Sequence, residues 1–209
     1  MRIRITFAKQ GALRYTGHLD LHRLWERAAR RAELPLAYSK GFHPQPKMNL
    51  AAALPLGFSS RCELLDMRLE HEIILEGLPE QLNNTLPPGI QVTNVEEVDE
   101  RAPALQTQVA SAEYEVTLTD TIAGSDLKRR IDSLLESDSI IRERRGKRYD
   151  LRPLIEALTP YPSPEGRGEK ILMRLTAREG ATGRPEEVLD VLGILFADTR
   201  IERTRLIFQ

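Results

Sequence analysis

Lys40, His43 and Lys47 share one short stretch, YSKGFHPQPKMN (38–49), and are the residues of this chain best equipped to meet an anion. An imidazole between two ammonium groups could hydrogen-bond a phosphate, do general acid–base work on RNA, or contact a partner protein. It could equally pin its own loop by bonding a backbone carbonyl. Pro44 and Pro46 fix φ and push residues 42–45 away from the α region. Gly41 permits a positive φ that bulkier neighbours resist. The expectation is a stiff loop anchored by its aromatics, with Tyr38, Ser39, Lys40, Gly41, Phe42, His43 and Lys47 as binding residues.

A second set of candidates precedes the loop. Leu21, Leu24, Trp25, Ala28 and Ala32 recur at helical spacing, and Arg23, Arg27, Arg30 and Arg31 fall on the opposite face as a basic stripe. At the start of that helix His18 and His22 stand four apart with Asp20 between them, which makes all three secondary candidates. The pair is half of a zinc site, yet the glutamate of HExxH and a third ligand are missing, so no metal is expected. Asp20 is more simply a carboxylate favoured at a helix N-terminus. Cys62 reads as a small core residue in a strand.

The elements that must position these residues follow from periodicity. Ile3, Ile5 and Phe7 alternate as a half-buried strand. The arginine-bearing helix follows over 18–33, and Leu34-Pro35 ends it. After the loop, 48–54 reads as a buried strand, and alternation resumes from Cys62 and becomes clean at Met67 and Leu69. Residues 74–86 fit a short helix, and Ile90, Val92 and Val95 form another strand. The order β-α-β-β-α-β over 1–98 is that of a ferredoxin-like domain, an antiparallel sheet with both helices on one face.

Residues 99–108 read as a polar linker. Residues 109–209 then repeat the order, with an insertion at about 148–169 and a turn-rich loop at 161–168. The expected class is α+β, two tandem ferredoxin-like domains.

Composition sets the outer bounds. The chain has 209 residues, of which 41% are hydrophobic and 29% charged, as in globular proteins. No apolar run approaches a membrane span, and MRIRITF leads straight into a strand, so neither a signal peptide nor a membrane is expected and the cytoplasm is the default location. One cysteine excludes an internal disulfide and any cysteine-held cluster within one chain. The net charge of −1 hides an asymmetry: residues 1–50 hold ten Lys or Arg against three Asp or Glu. Residues 142–152 hold six more basic side chains against two acids. Such clusters suit an electropositive face for RNA or another anion, or a surface balanced by neighbouring acids. There is no Walker loop, GxGxxG, GxSxG or CxxxCxxC, so neither an active site nor a cofactor is expected of the chain by itself.

The segment TGHLDLHRLWERAARRAELPLAYSKGFHPQPKMNLAAALPLGFSSRCE (16–63) resembles the start of the DUF2344 family, the radical-SAM-associated proteins. The likeness runs on through GKRYDLRPLIE (146–156), GRPEEVLDVLG (183–193) and the closing IERTRL. His18, Asp20, Tyr38, Ser39, Gly41, Phe42 and Pro44 hold the places of that family's pattern. The resemblance implies a domain fused behind a radical SAM domain or encoded beside a radical SAM protein, and it carries over no catalytic residue. Two functions are therefore expected in turn. The first is a non-catalytic accessory module docking to a radical SAM protein and helping it hold an RNA or other anionic substrate. The second is an independent RNA-binding or RNA-processing protein using a basic face and His43 or His18.

Overall fold

The computed structural model describes residues 1–119, 124–162, 169–178 and 180–209. The chain is mixed α+β and divides into two compact units, Met1–Val109 and Ala110–Gln209.

In the first unit, Ile3, Ile5 and Phe7 put one apolar face on β1 (Arg2–Lys9), and all three are fully buried. Next come α1 (His18–Arg31), β2 (Met48–Leu50), β3 (Ser59–Arg68), α2 (Leu78–Asn83) and β4 (Ile90–Val98). The strands lie in the order β4-β1-β3-β2, and each neighbouring pair is antiparallel. Leu21, Trp25 and Ala29 of α1 and Leu78 and Leu82 of α2 share one core with Ile3, Ile5, Phe7, Leu65 and Met67. Both helices therefore cover the same face of the sheet. The Trp25 ring meets Phe7 edge-on, with centroids 4.8 Å apart.

The sheet's other face carries charge. Asp66 accepts from Arg2 Nε (3.0 Å) and Arg2 Nη2 (2.5 Å), and from Arg4 Nε (2.8 Å). The same Arg2 guanidinium donates to the carbonyls of Ala102 (2.7 Å) and Pro103 (2.9 Å).

Three expectations are corrected in this unit. Residues 99–108 are no free linker, because Arg2 straps them down and the short α3 (Leu105–Gln108) buries Leu105. The strand expected over 48–54 stops at Leu50, where small alanines of low strand propensity take over. The helix expected over 74–86 shrinks to α2. Gly77 takes φ +75° at its start, and the Asn83 side chain at its end turns to pair with the Val92 backbone at 2.8 and 3.1 Å.

In the second unit, β5 (Val109–Leu118) and α4 (Gly124–Glu136) lead to a hairpin of β6 (Ile141–Arg144) and β7 (Lys147–Asp150). Then follow β8 (Ile155–Pro162), β9 (Glu169–Arg178), β10 (Ala181–Thr182), α5 (Pro185–Val191) and β11 (Thr199–Phe208). The sheet runs β8-β9-β5-β11, with β10 on the end of β9, and β5 and β8 are both antiparallel to β9. The stretch 148–162, read from sequence as part of an insertion, holds the end of β7, a 3-10 turn and β8. Of the turn-rich loop expected over 161–168, residues 163–168 lie outside the described residues.

The second basic cluster is largely committed within its own unit. Arg144 meets Glu187 through both carboxylate oxygens, the Tyr149 hydroxyl at 3.1 Å and the Thr182 carbonyl at 3.2 Å. Arg142 pairs with Asp190, and Arg152 donates to the Leu135 carbonyl at 2.8 Å. Arg145, Lys147 and Arg148 stay exposed at the hairpin tip.

Candidate functional site

α1 begins at Gly17 in extended backbone and ends before Glu33, which takes φ +54°. Leu21, Trp25, Ala28 and Ala29 bury one face, so the arginines must face out. They do not form the single stripe expected. Arg23, Arg27 and Arg31 line a cleft of about 510 Å³, together with Thr16, Asp20, Leu24 and the Thr85-Leu86-Pro87 turn after α2. Arg30 turns away, donating to the Tyr38 hydroxyl at 3.1 Å and pairing with Glu26 at 2.8 Å.

The cleft is electropositive. Arg23 reaches Asp20 at 3.5 Å, an exposed and long pair of little energetic weight. Arg31 Nη1 lies 3.5 Å from the Thr85 carbonyl. Neither Arg27 nor Arg31 has a carboxylate partner among the described residues. Leu24, Leu86 and Pro87 give the same space apolar walls.

The 38–49 segment is a hairpin-like excursion fixed at its base and open at its tip. The Ser39 N–H donates to the Gln45 carbonyl at 2.8 Å, and the Gln45 N–H donates to Ser39 Oγ at 2.9 Å. One step lower, the Lys47 N–H donates to the Ala37 carbonyl at 2.9 Å, and Tyr38 bridges Pro46. Gly41 takes φ +137°, which no side-chain-bearing residue adopts readily. At the tip Lys40 and His43 are exposed, and the Phe42 side chain is wholly exposed at 101%. Phe42 therefore anchors nothing among the described residues, contrary to expectation. His43 has no hydrogen-bond partner among the described residues, so it does not pin the loop.

The remaining candidates fall apart spatially. Lys47 lines a separate small cavity of about 130 Å³ with Arg2, Asn49, Asp66 and Arg68. His22 Nε2 lies 3.3 Å from the Met48 carbonyl and serves as a brace between α1 and β2. His18 is exposed at the helix start, and Asp20 sits at the mouth of the cleft. Among the described residues no three His, Cys, Asp or Glu side chains gather as a metal site. Cys62 is half-buried, with Sγ 3.7 Å from Ser60 Oγ, so it is not a core residue.

One part of the site escaped the sequence: the 85–87 wall was legible only as a helix stop. No described helix is long and apolar enough to cross a membrane.

No curated protein matches this sequence. Among solved structures, a chain of the "Crystal Structure of a Cbf5-Nop10-Gar1 Complex" is similar, with a TM-score of 0.51 at 11% identity. The likeness covers 98% of this chain and 48% of that one, so this chain spans about half the length of that relative, and at such identity it concerns the fold alone. Residues 2–185 match the model of DUF2344, described as "uncharacterized protein conserved in bacteria", and the chain belongs to that family.

Proposed function

We propose that this chain is a non-catalytic accessory module that docks to a radical SAM protein through the tip of the 38–47 hairpin and helps it hold an anionic substrate, RNA foremost, in the α1 cleft. The observation that carries the reading is Phe42: a fully exposed aromatic on a loop pinned at its base by backbone bonds. Exposing a phenyl ring to water is unfavourable by about 2 kcal/mol, and a rigid loop loses little entropy when that ring enters a partner's pocket. Lys40 and His43 beside it would give the contact a polar rim. The radical SAM identity of the partner rests on the resemblance of 16–63 to a family associated with such proteins. We read both units as ferredoxin-like; the order β4-β1-β3-β2 and its counterpart β11-β5-β9-β8 support that name.

The test is co-purification with the radical SAM protein that this reading expects to be encoded beside this chain. Phe42→Ala should weaken the complex about tenfold or more while leaving the thermal midpoint unchanged, as expected of an interface anchor. Association indifferent to Phe42 would move the interface elsewhere. No association under any substrate or cofactor condition would sink the docking half of the reading.

The alternative, an independent RNA-binding protein, is favoured by one observation of its own. Arg27 and Arg31 are not neutralised by the acidic remainder of the chain among the described residues. Binding of RNA by the isolated chain, with no gain in affinity when the radical SAM protein is added, would decide for it.

A further inference from the structure

We infer that the small cavity under residues 102–104, on the face of the first unit's sheet turned away from α1, is a binding site for a compact tetrahedral oxyanion of the phosphate class. It is a second site, separate from the α1 cleft, and does not rest on what that cleft holds.

The strand period builds its floor. Met48 and Leu50 enter the core shared with the helices, so Lys47 and Asn49 belong to the other face. Asn49 lies opposite Asp66, and Arg68 lies opposite Arg2. The Arg68 N–H donates to the Lys47 carbonyl at 3.0 Å, which sets these two residues side by side. Three cations therefore run in a row across β1, β3 and the entry to β2. Like charges placed opposite one another on a sheet repel. The one carboxylate lining the cavity is already taken, since Asp66 Oδ2 accepts from Arg2 and Oδ1 from Arg4. Glu100 feels Lys47, yet it pairs with the Met1 ammonium at 2.7 Å and reaches Arg68 only at 3.9 Å. The Lys47 ammonium and the Asn49 amide have no hydrogen-bond partner among the described residues.

Size and charge define what fits. At about 130 Å³ the space is well below the roughly 300 Å³ at which pockets for drug-sized molecules begin. It is too small for a nucleoside and ample for one tetrahedral oxyanion. Three cations against one carboxylate leave the lining with two positive charges, the complement of a dianion. Lys47 and Asn49 bring unused donors, and Arg68 spends one N–H on the Glu100 carbonyl at 3.1 Å out of the five a guanidinium offers. Arg2 has a different part. Its donors go to Asp66 and to the carbonyls of Ala102 and Pro103, so it holds the roof in place and contributes its charge. An anion seated here would relieve the repulsion along the row and fasten the 99–104 strap to β2 and β3.

The experiment follows the thermal midpoint of the full chain in phosphate, sulfate, acetate and chloride at matched ionic strength. Amide exchange at Ala102, whose N–H donates to the Asp99 carbonyl at 3.0 Å, is the local readout. Phosphate and sulfate should raise the midpoint in a saturable way that yields a dissociation constant, and should slow exchange at Ala102. Chloride and acetate should do neither. Lys47→Gln should weaken the phosphate constant about tenfold or more, because a charged donor is lost, and Lys47→Arg should restore most of it. Asn49→Ala should weaken it about threefold to tenfold. Arg27→Gln in the α1 cleft and Lys128→Gln on the exposed surface of α4 should leave it unchanged. A response abolished by Arg27→Gln but kept by Lys47→Gln would put the anion in the α1 cleft and overturn this site. A midpoint that rises with no slowing at Ala102 would overturn it likewise. Acetate as effective as phosphate would overturn the tetrahedral dianion. No saturable response to phosphate or sulfate would overturn the site outright and leave the α1 cleft to its own test with RNA.

Discussion

Arg30 Nε donates to the Tyr38 hydroxyl over 3.1 Å, and this bond takes the fourth arginine of α1 out of the cleft and fastens it to the base of the hairpin. The guanidinium also lies over the Tyr38 ring, 5.8 Å from its centroid, while the ring packs against the core of the first unit. The helix that carries the anion-facing arginines and the hairpin that carries Phe42 are thus mechanically joined at one tyrosine.

Removing that ring should loosen the joint more than removing its hydroxyl. Tyr38→Ala should destabilise the chain by about 1–2 kcal/mol, because a half-buried ring loses its apolar contacts. Tyr38→Phe should lose clearly less, since Arg30 keeps Glu26. Urea denaturation of the two variants measures the ratio. Equal losses would mean that the hydroxyl, and not the packing, fixes the hairpin.

The Asp66 cluster makes a prediction about the strap. Asp66 is nearly fully buried between Arg2 and Arg4, so Asp66→Asn leaves the buried Arg2 guanidinium short of its counter-charge, while Arg4 keeps Glu96 nearby. Breaking a buried pair in this way costs roughly 3–5 kcal/mol. Since Arg2 also holds the carbonyls of Ala102 and Pro103, trypsin should cut slowly after Arg101 in the wild type and much faster in the variant. Rapid cutting at Arg101 in the wild type would show that the strap does not hold in solution.

The cleft wall depends on one glycine. Gly89 takes φ +100°, and a Cβ there would lie 2.7 Å from the Gln10 carbonyl oxygen. The Gln10 N–H donates back to the Gly89 carbonyl at 2.7 Å, tying the turn after Pro87 to the segment leading to Tyr15. Gly89→Ala should therefore destabilise by more than about 1 kcal/mol and weaken anion binding together with it. Unchanged stability would show that this contact can relax freely.

What the sequence revealed was local. Ile3, Ile5 and Phe7 announced β1, and Leu21, Trp25 and Ala28 announced the buried face of α1, because burial on one element repeats at that element's own period. The division of the arginines was not legible. Arg30 and Arg27 differ little in angle around α1, and what separates them is Glu26 beside Arg30 and the Tyr38 hydroxyl, folded back from eight residues on. Thr85-Leu86-Pro87 could not be paired with α1 either, since no period links a turn to a helix more than fifty residues earlier. The strap failed for a related reason. Residues 99–108 are polar, as linkers are, and what holds them is a guanidinium from the second residue of the chain acting on backbone carbonyls that every sequence possesses.

The last prediction concerns pH and the β6–β7 hairpin. Asp150 Oδ1 accepts the Ile140 N–H at 2.8 Å and the Arg152 N–H at 2.9 Å, closing the open end of the hairpin. The Ile140 N–H, helped by that of Arg152, holds the Asp150 carboxyl below its ordinary value despite some desolvation. A carboxyl lowered on folding binds fewer protons in the folded than in the unfolded state between the two values. Its contribution is therefore complete above the unfolded value and fades as pH falls through the folded one. Amide exchange at Ile140 and Arg152, referenced to the intrinsic rate at each pH, should show full protection near neutrality and loss of it only in acid below the ordinary aspartate range. Asp150→Asn should lower that protection at neutral pH and abolish its acid dependence, because an amide oxygen accepts the same N–H groups without the charge. Protection that falls with acid equally in wild type and variant would assign the transition to another carboxylate, with Glu187 under Arg144 the next in line.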